Sequence, residues 1–300
     1  MQWNIQAVYH QYPFDVKYSP DYCTKTTYAI NLRGGIISNI NGIMGEGRSY
    51  MDLQNLIAIV TGAGQGIGRG IAEKLASCGA AVVAANRTES KAEDTAQIIR
   101  ARGGKALAVR ADISINDDIV RMFDFCEENF GAPDILIANA GIAYHSAITE
   151  TTEEEFFSIY NVNAKGTFFC LKEAGLRLKD GGRIVTISSS TATFSRKGMS
   201  LYSSTKAAIC KMTEIAAQEF ADRRINVNCV LPGITKTPAI EKDFVAGDIS
   251  GNHLQMVIDN TPFKRLGTTE DIAEIVAFLC GNEAVWVNGK QIVVDGGAGC

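Results

Sequence analysis

Leu56-Ile57-Ala58-Ile59-Val60-Thr61-Gly62-Ala63-Gly64-Gln65-Gly66-Ile67-Gly68 is the stretch that decides how this chain folds. Its first five residues are uncharged and rich in β-branched side chains, the composition of a strand buried on both faces of a parallel sheet. The glycines that follow predict a sharp turn into a helix from Gly66, with Ile67, Ile71 and Leu75 on its apolar face. Glycine lets the backbone turn tightly and lets a ligand approach with no Cβ in the way. The free N–H groups and positive dipole end of such a helix suit a pyrophosphate. The spacing Gly62, Gly66, Gly68 departs from the G-x-G-x-x-G fingerprint, and a turn without a ligand would use the same glycines, so other segments have to decide.

A chain of 300 residues is long enough for one large α/β domain or two small ones, and 46% hydrophobic residues are ample for a core. The net charge of −4 offers no basic field for nucleic acid and no basic stripe for a membrane surface. No uncharged run approaches the length needed to span a bilayer. The 8 cysteines, at positions 23, 78, 126, 170, 210, 229, 280 and 300, form no C-x-x-C pair and have no His clustered beside them. They read as buried reduced thiols, so no metal site is expected and a cytoplasmic location is.

Residues 1 to 51 differ from the rest. They hold six of the nine tyrosines and one of the two tryptophans without a sustained helix or strand period, and they match neither a signal peptide nor a transit peptide. The expectation is an extension outside the main fold, with translation starting naturally at Met51. From Leu56 onward, strand patterns at 56–60, 81–85, 105–110, 134–138, 183–188, 225–230 and 290–294 alternate with helix patterns at 66–78, 89–102, 115–129, 153–178, 201–222 and 269–281. That alternation predicts an α/β fold: a single doubly wound domain over residues 52–300, with a seven-stranded parallel sheet and helices on both faces. Ser114 with Asp117, Thr152 with Glu155 and Thr268 with Asp271 have capping-box spacing. The segment from 238 to 265, broken by Pro238, Gly247, Gly251 and Pro262, reads either as a mobile lid or as a surface excursion.

Tyr202 and Lys206 lie four residues apart, hence on one face of the helix they begin. A phenol beside an ammonium can do acid–base work, because the positive charge favours the phenolate. The strand at 183–188 ends in Ser188-Ser189-Ser190 at the carboxyl edge of the sheet, where doubly wound folds bind ligands, although three serines there are also ordinary turn chemistry. Ala138-Asn139-Ala140-Gly141 ends another strand with small residues that leave room for a flat ring. Asn163 is a poor choice inside a helix on propensity alone and fits a buried polar hub. His145 could line a pocket or lie exposed in a loop, and His10 and His253 have no partner suggested by spacing.

Thr61-Gly-x-x-x-Gly-Ile-Gly68, Asp112, Asn139-Ala-Gly141, Asn163, Ser189, Tyr202-x-x-x-Lys206, Pro232-Gly233 with Thr237, and Asp295-Gly-Gly297 occur in the order found in the short-chain dehydrogenase/reductase family, which residues 52 to 298 resemble. Ser189 lies thirteen positions before Tyr202, the spacing usual in that family. The resemblance implies a Rossmann domain, usually assembled as a homotetramer, that moves hydride between a nicotinamide cofactor and a small carbonyl or secondary alcohol. Tyr202 would exchange the proton, Lys206 would favour its phenolate and hold the nicotinamide ribose, Ser189 would polarise the carbonyl, and Asn163 would anchor a water in a proton relay. Gly62, Gln65, Gly66, Ile67 and Gly68 would face the pyrophosphate, Asp112 and Ile113 the adenine, and Asn139, Ala140 and Gly141 the adenine ribose. Pro232, Gly233, Thr235 and Thr237 would meet the nicotinamide end.

An acid at the end of the second strand would select a ribose 2′-hydroxyl. Asn86 and Arg87 occupy that place, which favours a 2′-phosphate and hence NADP over NAD. Among branches of the family the chain is most similar to 3-oxoacyl-[acyl-carrier-protein] reductases and to polyketide or naphthol reductases, the latter through Trp286-Val-Asn-Gly-Lys290 and the ending Asp295-Gly-Gly-Ala298. A sugar or polyol dehydrogenase such as a glucose 1-dehydrogenase shares every motif, and a non-catalytic dinucleotide sensor could keep the same fold. Arg196 and Lys197 would suit the acidic surface of a carrier protein or simply line a solvated loop.

Overall fold

The computed structural model describes residues 31–32, 35–36, 51–238, 240 and 251–299. The chain divides into two units, Met1–Tyr50 and Met51–Cys300. In the first, strands β1 (Asn31–Leu32) and β2 (Gly35–Ile36) pair antiparallel.

The second unit is built on β3 (Ile57–Thr61), β4 (Ala81–Asn86), β5 (Lys105–Arg110), β6 (Ile135–Ala138), β7 (Arg183–Ile187), β8 (Asn226–Pro232) and β9 (Gln291–Val294). They form one parallel sheet in the order β5-β4-β3-β6-β7-β8-β9, with Ile59 opposite both Val83 of β4 and Leu136 of β6. The chain runs outward from β3 to β5, then returns to the other side of β3 to begin β6. The crevice between the carboxyl ends of β3 and β6 is therefore the topological switch point, where such sheets bind ligands.

Helices α1 (Gly66–Ser77), α2 (Glu89–Ala101), α3 (Asn116–Asn129), α4 (Glu153–Tyr160), α5 (Thr167–Arg177), α6 (Ser200–Glu219), α7 (Gly251–Asn260) and α8 (Thr269–Cys280) cover the sheet and its edges. Alternate residues of each strand feed two cores. Ala58 and Val60 pack with Ile71 and Leu75 of α1 and Val276 of α8, while Ile57 and Ile59 pack with Met122 and Phe123 of α3 and Leu171 of α5. At the far edge, three asparagines stitch β8 to the segment before β9. Asn226 and Asn228 donate to the Val287 carbonyl at 3.0 and 2.7 Å, and the Val227 N–H donates to Asn288.

Most element boundaries fall within two residues of those expected, and the seven parallel strands are those read from the pattern. Three features differ. The single helix expected over 153–178 is interrupted by a π turn, Asn161–Gly166, between α4 and α5. Residues 251–260 of the proposed lid segment form a regular helix, and positions 239 and 241–250 of that segment lie outside the described residues. The capping boxes at Thr152–Glu155 and Thr268–Asp271 form, but the one expected at Ser114–Asp117 does not. Ser114 instead donates through both its N–H and its hydroxyl to Asp112 Oδ1, and α3 begins one residue later behind Ile115. A side chain held in that Asx-type turn is not available to cap a helix.

Candidate active site

The carboxyl ends of β3, β6, β7 and β8 bring the expected residues to one edge. The turn after β3 is possible only with glycine: Gly62 and Gly66 have φ of +66° and +56°. A Cβ on Gly68 would lie 2.3 Å from the Gly62 carbonyl, so α1 sits directly on the turn. Behind it, Thr61 Oγ1 accepts the N–H groups of Asn139 and Ala140, both at 3.0 Å, and Asn139 Nδ2 donates to the Thr61 carbonyl at 2.9 Å. The side chain of Asn139 thus fixes the switch-point crevice, leaving the backbone through Gly141 to face it.

The first turn of α1 has no side-chain cap and no acidic residue, and Gln65 before it is exposed. Its orphan N–H groups and the positive end of the dipole are open to an anion. Gly66 also lies close to Thr237, where an added Cβ would only reach contact distance of 3.4 Å. Thr235 is buried, donates to the Gly233 carbonyl at 3.0 Å and bridges to Gly267, which holds the post-β8 segment over this turn. At the end of β4, Asn86 packs against Gly64, where a Cβ would meet its Cγ at 2.8 Å. Arg87 is exposed and, among the described residues, makes no ion pair or hydrogen bond. Lys91, one turn into α2, reaches back to Gln65 Oε1 at 3.0 Å. Asp112 has one carboxylate oxygen on Ser114, and Ile113 is buried beside Gly166 of the π turn. These groups fit a nicotinamide dinucleotide: open N–H groups for the pyrophosphate, with the Asn86 amide and Arg87 at the end of β4 and Lys91 of α2 beside them.

Two of the catalytic candidates meet at Gly141, where a Cβ would lie 3.2 Å from Asn163 Oδ1 and 3.3 Å from Lys206 Nζ. Lys206 is only 4% exposed, and its ammonium donates to the Ile187 carbonyl at 2.9 Å. Its Nζ stands 5.6 Å from the centre of the Tyr202 ring, one helical turn earlier on α6. Asn163 is fully buried on the π turn and bonded to the backbone of Ile142 on both sides and to Thr205 Oγ1 at 3.1 Å. Ser189, at the end of β7, accepts from Thr191 through both its N–H and its hydroxyl. Its neighbour Ser188 turns inward and donates to the Lys206 carbonyl at 2.8 Å, a supporting rather than a reacting position.

Sequence reasoning missed Lys91, Thr191 and Thr205, all of which touch candidate residues. Thr205 lies inside the Tyr202-x-x-x-Lys206 spacing, a signal from which it could have been found. His145 is exposed, its ring against Gly198 at the outer mouth. Arg196 and Lys197 line a depression there with Ile148 and Ser195. Among the described residues, no group of three or more His, Cys, Asp or Glu side chains could hold a metal ion, and no helix is long and apolar enough to cross a membrane. Cys78, Cys126, Cys170, Cys210, Cys229 and Cys280 are unbridged.

The chain is similar to known proteins over most of its length. Residues 62–299 match the family model described as enoyl-(acyl carrier protein) reductase. The short chain dehydrogenase/reductase AacuN of Aspergillus aculeatus is 39% identical over 254 residues, covering 82% of this chain and 96% of that protein. The short chain dehydrogenase claC of Passalora fulva is 36% identical over 274 residues, covering 86% of this chain and 98% of that protein. A short chain dehydrogenase from Burkholderia cenocepacia, solved in complex with NADP, superposes with a TM-score of 0.76 at 34% identity, covering 83% of this chain and all of the other. Similarity over nearly the full length of such relatives places the chain in the short-chain dehydrogenase/reductase family, as an oxidoreductase.

Proposed function

We propose that this oxidoreductase interconverts a ketone and a secondary alcohol with NADP(H), in the manner of a 3-oxoacyl-[acyl-carrier-protein] reductase or related ketone reductase. The observation that carries the reading is the buried Lys206 ammonium, pinned beside Gly141 and under the Tyr202 ring with a carbonyl, not a carboxylate, for its partner. A buried cation with no counter-ion among the described residues is costly unless it serves a ligand, and here it stands where it can hold a ribose hydroxyl beside the Tyr202 phenol. When bound, the coenzyme supplies or accepts the hydride. Tyr202 then gives its phenolic proton to the carbonyl oxygen, and Ser189 donates a hydrogen bond to the same oxygen as charge develops there. Asn163 holds the π turn from which a water chain reaches Lys206 to restore the proton. The acid–base pair acts on an oxygen, which favours a carbonyl over a carbon–carbon double bond as the group reduced.

Gly62, Gln65, Gly66, Ile67 and Gly68 hold the pyrophosphate in this reading, Asp112 and Ile113 the adenine, and Asn139 to Gly141 its ribose. Pro232, Gly233, Thr235 and Thr237 meet the nicotinamide, and Asn86 with Arg87 selects NADP(H). The NADP bound by the Burkholderia relative supports that preference. Catalysis is assigned to residues 52–300 of a cytoplasmic homotetramer, in which assembly would cover the exposed Phe157, Phe168 and Trp286.

The test follows NADPH oxidation with ethyl 3-oxobutanoate, the N-acetylcysteamine thioester of 3-oxobutanoate, 9,10-phenanthrenequinone and glucono-lactone. Turnover of a ketone that falls by about 100-fold or more in Tyr202→Phe, with NADPH binding kept, is expected. NADPH binding without turnover of any ketone would instead indicate a sensor, and full turnover by Tyr202→Phe would remove the proposed acid.

A further inference from the structure

Ser189 caps the 3-10 turn Ser190–Ala192, and the Thr191 N–H donates to its Oγ at 3.2 Å, as turn chemistry requires. The Thr191 hydroxyl then does something the turn does not need. It donates to the same Oγ at 3.0 Å, whereas the hydroxyl of nearby Thr193 makes the ordinary local bond to the Ser190 carbonyl at 2.9 Å. A serine hydroxyl has one proton and two lone pairs. With both lone pairs filled by Thr191, the only capacity left to Ser189 is to donate.

Resting on the reading that Ser189 meets the substrate oxygen, we infer that Thr191 is a positioning residue that makes Ser189 an obligatory hydrogen-bond donor. Two consequences follow for the reaction. Ser189 cannot accept a proton from the substrate, so a substrate hydroxyl is directed to Tyr202 alone. Its own O–H is polarised by the two bonds it accepts, and it meets the substrate oxygen without first giving up a competing orientation. The effect belongs to the transition state, where the oxygen is most negative, and therefore to kcat more than to KM.

The experiment compares Thr191→Val, Thr191→Ser, Ser189→Ala and the Ser189→Ala/Thr191→Val double variant with the wild-type enzyme, using NADPH and whichever of the three ketones above is turned over fastest. Thr191→Val keeps the branched shape and the backbone N–H but removes the hydroxyl. It is expected to lower kcat about threefold to tenfold with KM and NADPH affinity unchanged. Thr191→Ser should restore kcat, and in the Ser189→Ala background Thr191→Val should have no further effect. The inference is overturned if Thr191→Val turns over at the wild-type rate while Ser189→Ala is impaired, if Thr191→Ser is as slow as Thr191→Val, or if the loss is the same in both backgrounds. Wild-type turnover by Ser189→Ala would overturn the underlying reading of Ser189 as well.

Discussion

Asn163 and Ile142 are joined twice: the Ile142 N–H donates to Asn163 Oδ1 and Asn163 Nδ2 donates to the Ile142 carbonyl, each at 2.9 Å. The amide thus does for the segment after β6 what a neighbouring strand would do. It also explains why an asparagine stands on the π turn, since only a side chain with both donor and acceptor can satisfy that backbone. Asn163→Ala is expected to leave an N–H and a C=O unsatisfied and to cost about 2–4 kcal/mol, summing about 1–3 kcal/mol per group with partial relaxation. Because the same segment carries Gly141 against Lys206, kcat should fall at least about tenfold even well below the unfolding midpoint. Thermal unfolding with steady-state assays at low temperature separates the two effects. A lowered midpoint with unchanged kcat would confine Asn163 to a structural role.

In the proposed reading, coenzyme choice turns on Arg87. An exposed guanidinium with no partner among the described residues is available to a 2′-phosphate, and bonds of this charged type are worth about 1.5–3 kcal/mol. Arg87→Ala should therefore lower kcat/KM for NADPH by about 10-fold or more while leaving NADH unchanged. Adding Asn86→Asp should repel the phosphate and turn the preference toward NADH. Comparable efficiency with both coenzymes in the wild type, untouched by Arg87→Ala, would refute the assignment.

How far the site was legible follows from these contacts. The order of buried strands and amphipathic helices carries its own periodicity, so the parallel sheet and the Tyr202–Lys206 face could be read directly, whereas the strand order that sets the switch point could not. A π turn has no such period. Asn161 to Gly166 look like the middle of one long helix, and only the awkwardness of Asn163 hinted otherwise. Ser114 misled because its hydroxyl can either cap a helix N–H or bond a nearby side chain, and proximity to the Asp112 carboxylate decided for the second. Lys91 was invisible for a different reason, since its bond to Gln65 exists only once the starts of α1 and α2 meet in space, while the bond of Thr191 to Ser189, two positions away, depends on a 3-10 turn that no periodicity marks.

Gly68 tests the close packing of α1 on its turn. In an ordinary helix, replacing glycine by alanine gains about 1 kcal/mol. Here the new methyl would meet the Gly62 carbonyl at 2.3 Å and Asn139 Nδ2 at 2.4 Å, both held by the bonds that shape the crevice. Gly68→Ala is expected to reverse the usual sign, lowering the unfolding midpoint and weakening NADPH binding together. Calorimetry and fluorescence titration measure these. A variant more stable than the wild type would show that the turn has room to move.

Acid sensitivity should centre on the start of α8. The Arg265 guanidinium, followed by the N–H and hydroxyl of Thr268, holds the Asp271 carboxyl well below the usual carboxylate range. A carboxyl that binds its proton more weakly folded than unfolded stabilises the fold at pH values above its unfolded pKa of about 4. That contribution is lost as pH falls from there through the lower folded value. Thr268→Ala, which removes the reciprocal cap, should cost about 1 kcal/mol at neutral pH. Asp271→Asn keeps an acceptor but not the charge, so it should be less stable than the wild type near neutrality, with the gap closing as pH drops below about 4. Urea titrations at neutral and acidic pH measure that gap. A gap that stays constant across the range would mean that the charge of Asp271 adds nothing to the cap.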